Sequence, residues 1–209
     1  MSLLLRRSRP PTARLTRAAA GGMLVLGLFT TSVASAASEI STHAPEPTLK
    51  LAAAQQGLTQ AVLAGHGQMR FFGLRIYDAR LWVGPQFQAA RFWDYPLVLQ
   101  LTYHRSFSAQ SIAQRSVQEI ERQQALTPAQ ATHWQAQLAQ VIPNVQSGDQ
   151  VTGIYLPGQG MQFWQDQKML GALPDAELAR AFFGIWLSPQ TSEPQLRKAL
   201  LSNLPGNPP

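Results

Sequence analysis

Three arginines in one aromatic, β-rich stretch have the types and spacing best suited to bind a ligand. Arg70, Arg75 and Arg80 all lie in the segment GHGQMRFFGLRIYDARLWVG, which spans residues 65–84. Two phenylalanines follow Arg70 directly. An arginine at the mouth of an apolar cleft binds a carboxylate or a phenolate through its planar fork of donors. Arg70 is therefore the first candidate for an anchor of an anionic ligand.

Two tyrosines and a second arginine extend this candidate site. Tyr77 lies in the same strand as Arg75, and Tyr103 ends the next clear strand. A small-molecule site needs an apolar cleft with a few convergent polar groups. The predicted ligand-binding residues are thus Arg70, Arg75, Tyr77 and Tyr103, with no residue assigned to catalysis.

A surface role for the same arginines remains open. Arginines on strands usually extend their charged heads to solvent. In this alternative, Arg75 and Arg80 lie at the rim of the sheet, and Asp78 pairs with Arg80 two residues along the same strand face.

Several other chemistries are absent from the sequence. There is no cysteine, and the four histidines lack the spacing of a metal site. Neither a G-x-S-x-G motif nor a phosphate-binding P-loop is present. Gly65-His66-Gly67 is interpreted as a tight turn between strands, because it lacks the third glycine of a dinucleotide motif. We expect neither a metal nor a cofactor.

The elements that would position these residues begin with strands. We expect a first strand over 58–64 and a β-rich stretch over 68–83, with a bend or bulge at Gly73. Pro96 opens a strand in which Leu97, Leu99, Leu101 and Tyr103 share one face, because side chains alternate along a strand.

Two helices, a pair of strands and two further helices are expected after this strand. The predicted helices start at Ser108, Thr127, Asp175 and Ser192. The first two, over about 108–141, each carry one apolar stripe and are expected to pack as a hairpin on one sheet face. Strands are expected over 149–156 and 161–164, and none between 165 and 174. This order predicts an α+β fold.

The N-terminus has the pattern of a secretory signal. Five arginines precede residue 18, a short apolar run follows, and Ala34-Ser35-Ala36 ends the segment. The apolar run has about a dozen residues, whereas a spanning helix needs roughly 20. We therefore predict a signal peptide over 1–36 with cleavage after Ala36, a flexible linker over 37–50, a domain over 51–205, and a periplasmic protein without a stable membrane anchor.

Processing also removes the excess positive charge. Of the 17 basic residues, the 12 that remain face 11 acidic ones, which leaves a net charge of +1. Nucleic acid is therefore not an expected partner.

Four segments in order resemble the bacterial chalcone-isomerase-like family. They are GHGQMRFFGLRIYDARLWV at 65–83, LQLTYHRSFSAQSIA at 99–113, IPNVQSGDQVTGIYLPG at 142–158 and ARAFFGIWLSPQTS at 179–192. The resemblance covers most of the chain from about residue 58 to residue 204. It implies an open-faced β-sandwich, a curved antiparallel sheet with helices packed on one side.

The resemblance also implies roles for particular residues. In plant chalcone isomerases an arginine after the G-x-G segment anchors the substrate, and by this likeness Arg70 is the candidate, while Met69 takes that place if the motif is aligned without a gap. The plant threonine falls at about Tyr77, and no residue here matches the plant catalytic tyrosine, for which Tyr103 is only a guess. Some family members bind fatty acids without catalysis.

Three functions follow as hypotheses. The first is an exported domain that binds a small amphipathic anion, a fatty acid or a phenolic compound, with or without turnover. The second is an isomerase, of the intramolecular lyase type, that acts on a phenolic or enone substrate. The third is a structural or partner-binding envelope protein with a filled core.

The signal segment yields a direct test. Protein isolated from the native envelope should have an intact mass that starts at Ala37 or within a few residues of it, because the A-x-A site directs cleavage there. A full-length, membrane-embedded main product would contradict this prediction.

Overall fold

One antiparallel sheet forms the centre of the molecule. The computed structural model describes residue 58 and residues 60–205, so the predicted signal peptide, the linker and the start of the domain lie outside the described residues. The six strands pair in chain order. They are β1 (Val62–Phe71), β2 (Leu74–Val83), β3 (Leu97–Tyr103), β4 (Gln150–Leu156), β5 (Gly160–Gln165) and β6 (Lys168–Leu173).

The helices connect these strands and pack on one face of the sheet. A short 3₁₀ helix, Ala89–Asp94, joins β2 to β3. The four α-helices are α1 (Ala109–Glu121), α2 (Pro128–Val141), α3 (Ala176–Leu187) and α4 (Pro194–Leu200). Helix α3 contacts β4 and β5, α2 contacts β6, and α4 contacts β1. The predicted α+β class and the open sheet with helices on one side are confirmed.

The core is divided between the two faces of the sheet. The larger cluster lies under the helices and includes Leu97, Leu99 and Leu101 from one face of β3. Val98, from the other face of β3, belongs to a smaller cluster with Trp82 and others. The predicted alternation along this strand is confirmed. Every described member of the two clusters lies at or after Leu58.

The helical hairpin follows from local sequence signals. The side-chain oxygen of Ser108 accepts a hydrogen bond from the backbone N–H of Ser111 and caps α1. Thr127 caps α2 in the same way, with proline in the first turn. Helices α1 and α2 contact each other, and Trp134 and Leu138 are buried. The predicted hairpin is thus confirmed.

Two glycines that we interpreted as a turn lie inside a strand instead. Strand β1 runs without interruption through Gly65 and Gly67, and the reversal occurs at Phe72-Gly73, where φ is 48° and 78°. A Cβ on Gly65 would overlap the carbonyl oxygen of Ala199. These glycines therefore allow close approach of α4 to β1, which a pattern of local turn residues does not reveal.

Two other expectations also need correction. Strand β6 was missed, although Asp166, with φ of 52°, marks the tight turn that precedes it. Ser192 does not cap α4, because the cap position is Glu193 and the Ser192 hydroxyl bonds to a different helix. Among the described helices, none has the length and apolar character needed to cross a bilayer.

The close approach of α4 predicts a stability difference between glycines. Gly65→Ala should lower the free energy of unfolding by about 1–3 kcal/mol or more, because the new methyl group forces the backbone of α4 away. Gly84→Ala is the control, since the nearest atom to its Cβ would be Leu58 Cδ2 at 3.9 Å. Urea denaturation measures both. Equal effects would show that the packing of α4 does not depend on Gly65.

Candidate functional site

A cavity of about 370 Å³ lies between the sheet and helices α1 and α3. Its wall is mainly apolar. The apolar lining includes Leu99 and Leu101 of β3, Val151 of β4, Phe163 of β5, and Phe182 and Phe183 of α3. This volume falls within the range of small-molecule sites, roughly 300–1,000 Å³. The core is therefore not filled at the place where α1 faces the sheet.

Tyr77 brings a hydroxyl into this apolar cavity. Its oxygen accepts a hydrogen bond from the indole N–H of Trp186 at 3.0 Å. Burial raises the pKa of Tyr77 well above its usual range, and the nearby carboxylates of Glu193 and Glu119 add to the shift. The phenol therefore stays protonated at neutral pH, and its O–H remains available to donate.

Tyr103 lies beside Tyr77 and also lines the cavity. The two ring centroids are 5.9 Å apart in an edge-to-face arrangement. Burial raises the pKa of Tyr103 above its usual range, with Tyr77 as a second cause. Its hydroxyl makes no hydrogen bond within the part of the chain that the structure describes. Two protonated phenols are thus brought together at the cavity, and their role in ligand binding stays a prediction.

A charged cluster closes one side of the cavity. Glu119 of α1 is buried, and its carboxylate lies 2.5 Å from the guanidinium of Arg115 and 3.6 Å from that of Arg122. Its other oxygen accepts a hydrogen bond of 2.6 Å from the hydroxyl of Ser192. Glu119 and Arg115 both line the cavity. The carboxylate is therefore held in one position and is not a free base.

Glu193 is the second acid at this side of the cavity. Partial burial and the neighbouring charge of Glu119 raise its pKa, although Arg115 and Arg122 oppose the shift. Since protonation removes the charge of Glu193, two arginines then face the single carboxylate of Glu119. Protonation of Glu193 thus makes this side of the cavity more favourable for an anion.

The predicted anchor does not line the cavity. Arg70 is exposed, whereas its neighbours Met69 and Phe71 both line the wall. Because side chains alternate along a strand, Arg70 points away from the cavity when its neighbours face it. Met69 thus takes the inward place, as the alignment without a gap implies. A contribution of Arg70 to ligand binding stays a prediction.

Arg75 likewise lies outside the cavity. Its guanidinium is 3.2 Å from Nε2 of His104 and 3.6 Å from the carboxylate of Asp78. Asp78 also contacts His104 at 2.8 Å and accepts a hydrogen bond from Gln68. The pairing of Asp78 with Arg80 that we considered is thus wrong. Asp78 instead contacts Arg75 in its own strand, His104 just after β3, and Gln68, which lies opposite it in β1.

One local pattern in the sequence indicates the charged cluster around Glu119, which was not among the predicted site residues. Arg115 and Glu119 are four residues apart on a predicted helix, and Glu119 and Arg122 are three apart, which are the spacings of side-chain pairs on one helix face. Nothing local indicates that Ser192 reaches Glu119, 73 residues away. Within the described residues, no group of three or more histidines and carboxylates has a geometry suited to a metal ion.

The fold and the site define an open-faced antiparallel sheet that encloses an apolar, tyrosine-lined cavity beneath its helices. A family model described as chalcone isomerase-like matches residues 37–202. The chain therefore belongs to the chalcone isomerase-like family.

Two further comparisons place the chain among known proteins. A protein of Haemophilus influenzae is 28% identical over 112 residues, and the match covers only about half of each chain, 54% in both cases. A fatty-acid binding protein of Arabidopsis thaliana has a similar fold, with a TM-score of 0.54 and 11% identity. That match covers 69% of this chain and 88% of the Arabidopsis chain.

The contact between Tyr77 and Trp186 predicts energetic coupling. Tyr77→Phe and Trp186→Phe should each lower stability, in part because each leaves the partner's polar group buried without its hydrogen bond, a cost of about 1–3 kcal/mol. The double variant should cost less than the sum of the two, because no unpaired group remains. Chemical denaturation of all four proteins measures the difference. Strict additivity would show that the hydrogen bond does not couple the two residues.

Proposed function

We propose that this protein binds a single-chain amphipathic acid, such as a medium-chain fatty acid, in the cavity between its sheet and helices. The observation that carries the proposal is the pair of phenol hydroxyls of Tyr77 and Tyr103 inside an otherwise mainly apolar cavity. The acyl chain would lie among the apolar residues of β3, β4 and α3, and the carboxyl head would lie at the tyrosines.

The donors at the tyrosines suit a head group that accepts hydrogen bonds. Tyr77 already accepts from Trp186, so its own proton is the group left to donate. The hydroxyl of Tyr103 has no hydrogen-bond partner within the described residues and lines the cavity, so it is available to a ligand. A carboxylate or carbonyl oxygen between the two phenols would supply acceptors to both.

Charge at the same side of the cavity favours an acid over a neutral head group. Arg115 lines the cavity, and its guanidinium is only half-buried, so it retains donors beyond the one that faces Glu119. Arg115 and Arg122 together offset the charges of Glu119 and Glu193. Burial and the charge of Glu119 raise the pKa of Glu193, and its protonation leaves the two arginines in excess by one, which supports an anion.

Size favours one acyl chain. At roughly 30 Å³ for each group of water size, a cavity of about 370 Å³ holds about a dozen such groups. A two-chain lipid would not fit within this volume. The fatty-acid binding activity stated for the Arabidopsis structural neighbour supports the same class of ligand.

Binding without turnover is favoured over isomerisation. The best-buried carboxylate of the cavity, Glu119, is occupied by two arginines and by Ser192. A general base must be free to take a proton from the substrate. The open cavity also favours ligand binding over the filled core expected of a purely structural protein.

The proposal includes a location. The arginine-rich start, the apolar run and Ala34-Ser35-Ala36 support export to the periplasm and removal of residues 1–36. The ligand would then be met outside the cytoplasm.

Tyr103→Phe provides the sharpest test, because its hydroxyl takes no part in a hydrogen bond within the described residues. In calorimetric titration with dodecanoate, the variant should bind about 10- to 150-fold more weakly, as expected for loss of a charge-assisted hydrogen bond of about 1.5–3 kcal/mol. Its thermal stability without ligand should match or exceed that of the parent.

Glu193→Gln should bind dodecanoate more tightly than the parent at neutral pH, since it removes a like charge.

The matched control is Arg70→Gln, which alters an arginine outside the cavity and should leave the affinity within about two-fold. If Arg70→Gln loses binding while Tyr103→Phe retains it, the anchor is Arg70 and the site lies elsewhere. No binding of dodecanoate by the parent would contradict the proposed function. Consumption of a phenolic enone by the parent would favour the isomerase.

A further inference from the structure

The turn between β1 and β2 exposes an apolar surface. We name Phe71, Phe72 and Leu74 the hairpin tip. Their exposed fractions are 49%, 90% and 50%. A single exposed apolar residue is ordinary on a protein surface, but three large ones together at the end of a hairpin indicate a contact with something other than water.

Phe72 is an unusual residue for its position in the turn. Phe72 and Gly73 form a two-residue turn in which both residues have positive φ, 48° and 78°, and such turns favour asparagine, aspartate or glycine. The only ring that Phe72 contacts among the described residues is that of Phe71, at 4.5 Å. The side chain therefore strains the backbone and adds little to the core. A residue that breaks a local rule without benefit to the fold points to a function.

Basic residues surround the hairpin tip. Arg70 and Arg75 face each other across the two strands just before the turn. The guanidinium of Arg115 lies 6.0 Å from the centroid of the Phe71 ring. Arg105 is exposed and follows β3 at the same end of the sheet.

Two of these arginines have acidic partners, since Arg75 pairs with Asp78 and Arg115 pairs with Glu119. Arg70 and Arg105 have no acidic partner within the described residues, and they leave a net positive charge at this end of the sheet. The surface around the hairpin tip is therefore both apolar and positive. This combination matches the interface of a bilayer with anionic lipids, where apolar side chains enter the headgroup boundary and arginines attract phosphate.

We propose that the hairpin tip docks the protein onto an anionic lipid bilayer and holds the mouth of the cavity against it. Phe71 belongs both to the hairpin tip and to the cavity wall. An acyl chain would thus pass between bilayer and cavity along one continuous apolar surface. This passage rests on the proposed function, whereas the docking depends only on the hairpin tip.

Vesicle binding by ligand-free protein tests the docking. The form that begins at Ala37 is used, so that the apolar N-terminal run does not itself bind lipid, and the full chain is measured beside it. We expect co-sedimentation with vesicles of mixed phosphatidylglycerol and phosphatidylcholine, and much weaker binding to phosphatidylcholine alone. Arg70→Gln should weaken binding to the anionic vesicles by about five-fold, because each arginine near such a surface contributes about 1 kcal/mol.

Phe72→Asn separates docking from folding. Asparagine suits positive φ, so the variant should be as stable as the parent or more so, while its vesicle binding falls by roughly ten-fold with loss of a buried phenyl group. Met169→Gln removes an exposed apolar side chain from β6, and Arg91→Gln removes a charge from the opposite end of the sheet. Both control variants should bind vesicles as the parent does.

Three results would overturn the docking proposal. The first is failure of the parent protein to bind the anionic vesicles. The second is binding of Phe72→Asn as tight as that of the parent, and the third is an equal loss of binding by the control variants. The first result would indicate that the hairpin tip binds a protein partner instead of a bilayer. Failure to bind dodecanoate would overturn the proposed function but not the docking, because the vesicle experiment is done without ligand.

Discussion

The buried carboxylate of Glu119 joins parts of the molecule that are distant in sequence. It pairs with two arginines of its own helical region and accepts a hydrogen bond from Ser192, in the segment that leads into α4. Since removal of one partner from a buried pair leaves an uncompensated charge, these groups hold their positions together. They define the polar side of the cavity, while α3 and the sheet form the apolar remainder. The site thus depends on the contacts of Glu119, which connect α1 to the segment that leads into α4.

Most of the fold could be predicted because its signals are local. Ser108 and Thr127 cap their helices as their sequence positions indicate, and β3 alternates as expected. The errors occur where tertiary contacts override local preference. Gly65 and Gly67 resemble a turn, yet they are needed within a strand because α4 packs against them. No local pattern reveals that contact, since its two sides are about 130 residues apart.

The candidate site was predictable only in part, for a related reason. Tyr77 and Tyr103 were candidates because each is a tyrosine on a predicted strand, and the pairing of β2 with β3 places them opposite each other. Whether Arg70 or Met69 faces the cavity could not be decided from the sequence, because a shift of one residue along a strand moves a side chain to the other face. Met69 faces the cavity and Arg70 does not. The charge at the cavity comes instead from Arg115, on a helix whose distance from the sheet is set by tertiary packing.

The C-terminal segment also covers part of a sheet edge at which another copy of the protein could pair. Strand β1 is an edge of the sheet, and an edge strand with free backbone groups is a template for intermolecular strand addition. The backbone N–H of Asn203 donates to the carbonyl of Ala64 at 2.8 Å, and its side chain donates to that of Leu63 at 3.2 Å. A register shift interrupts the pairing of β1 at the same place. These hydrogen bonds occupy backbone groups at the end of β1 and leave fewer of them free for strand addition by another copy.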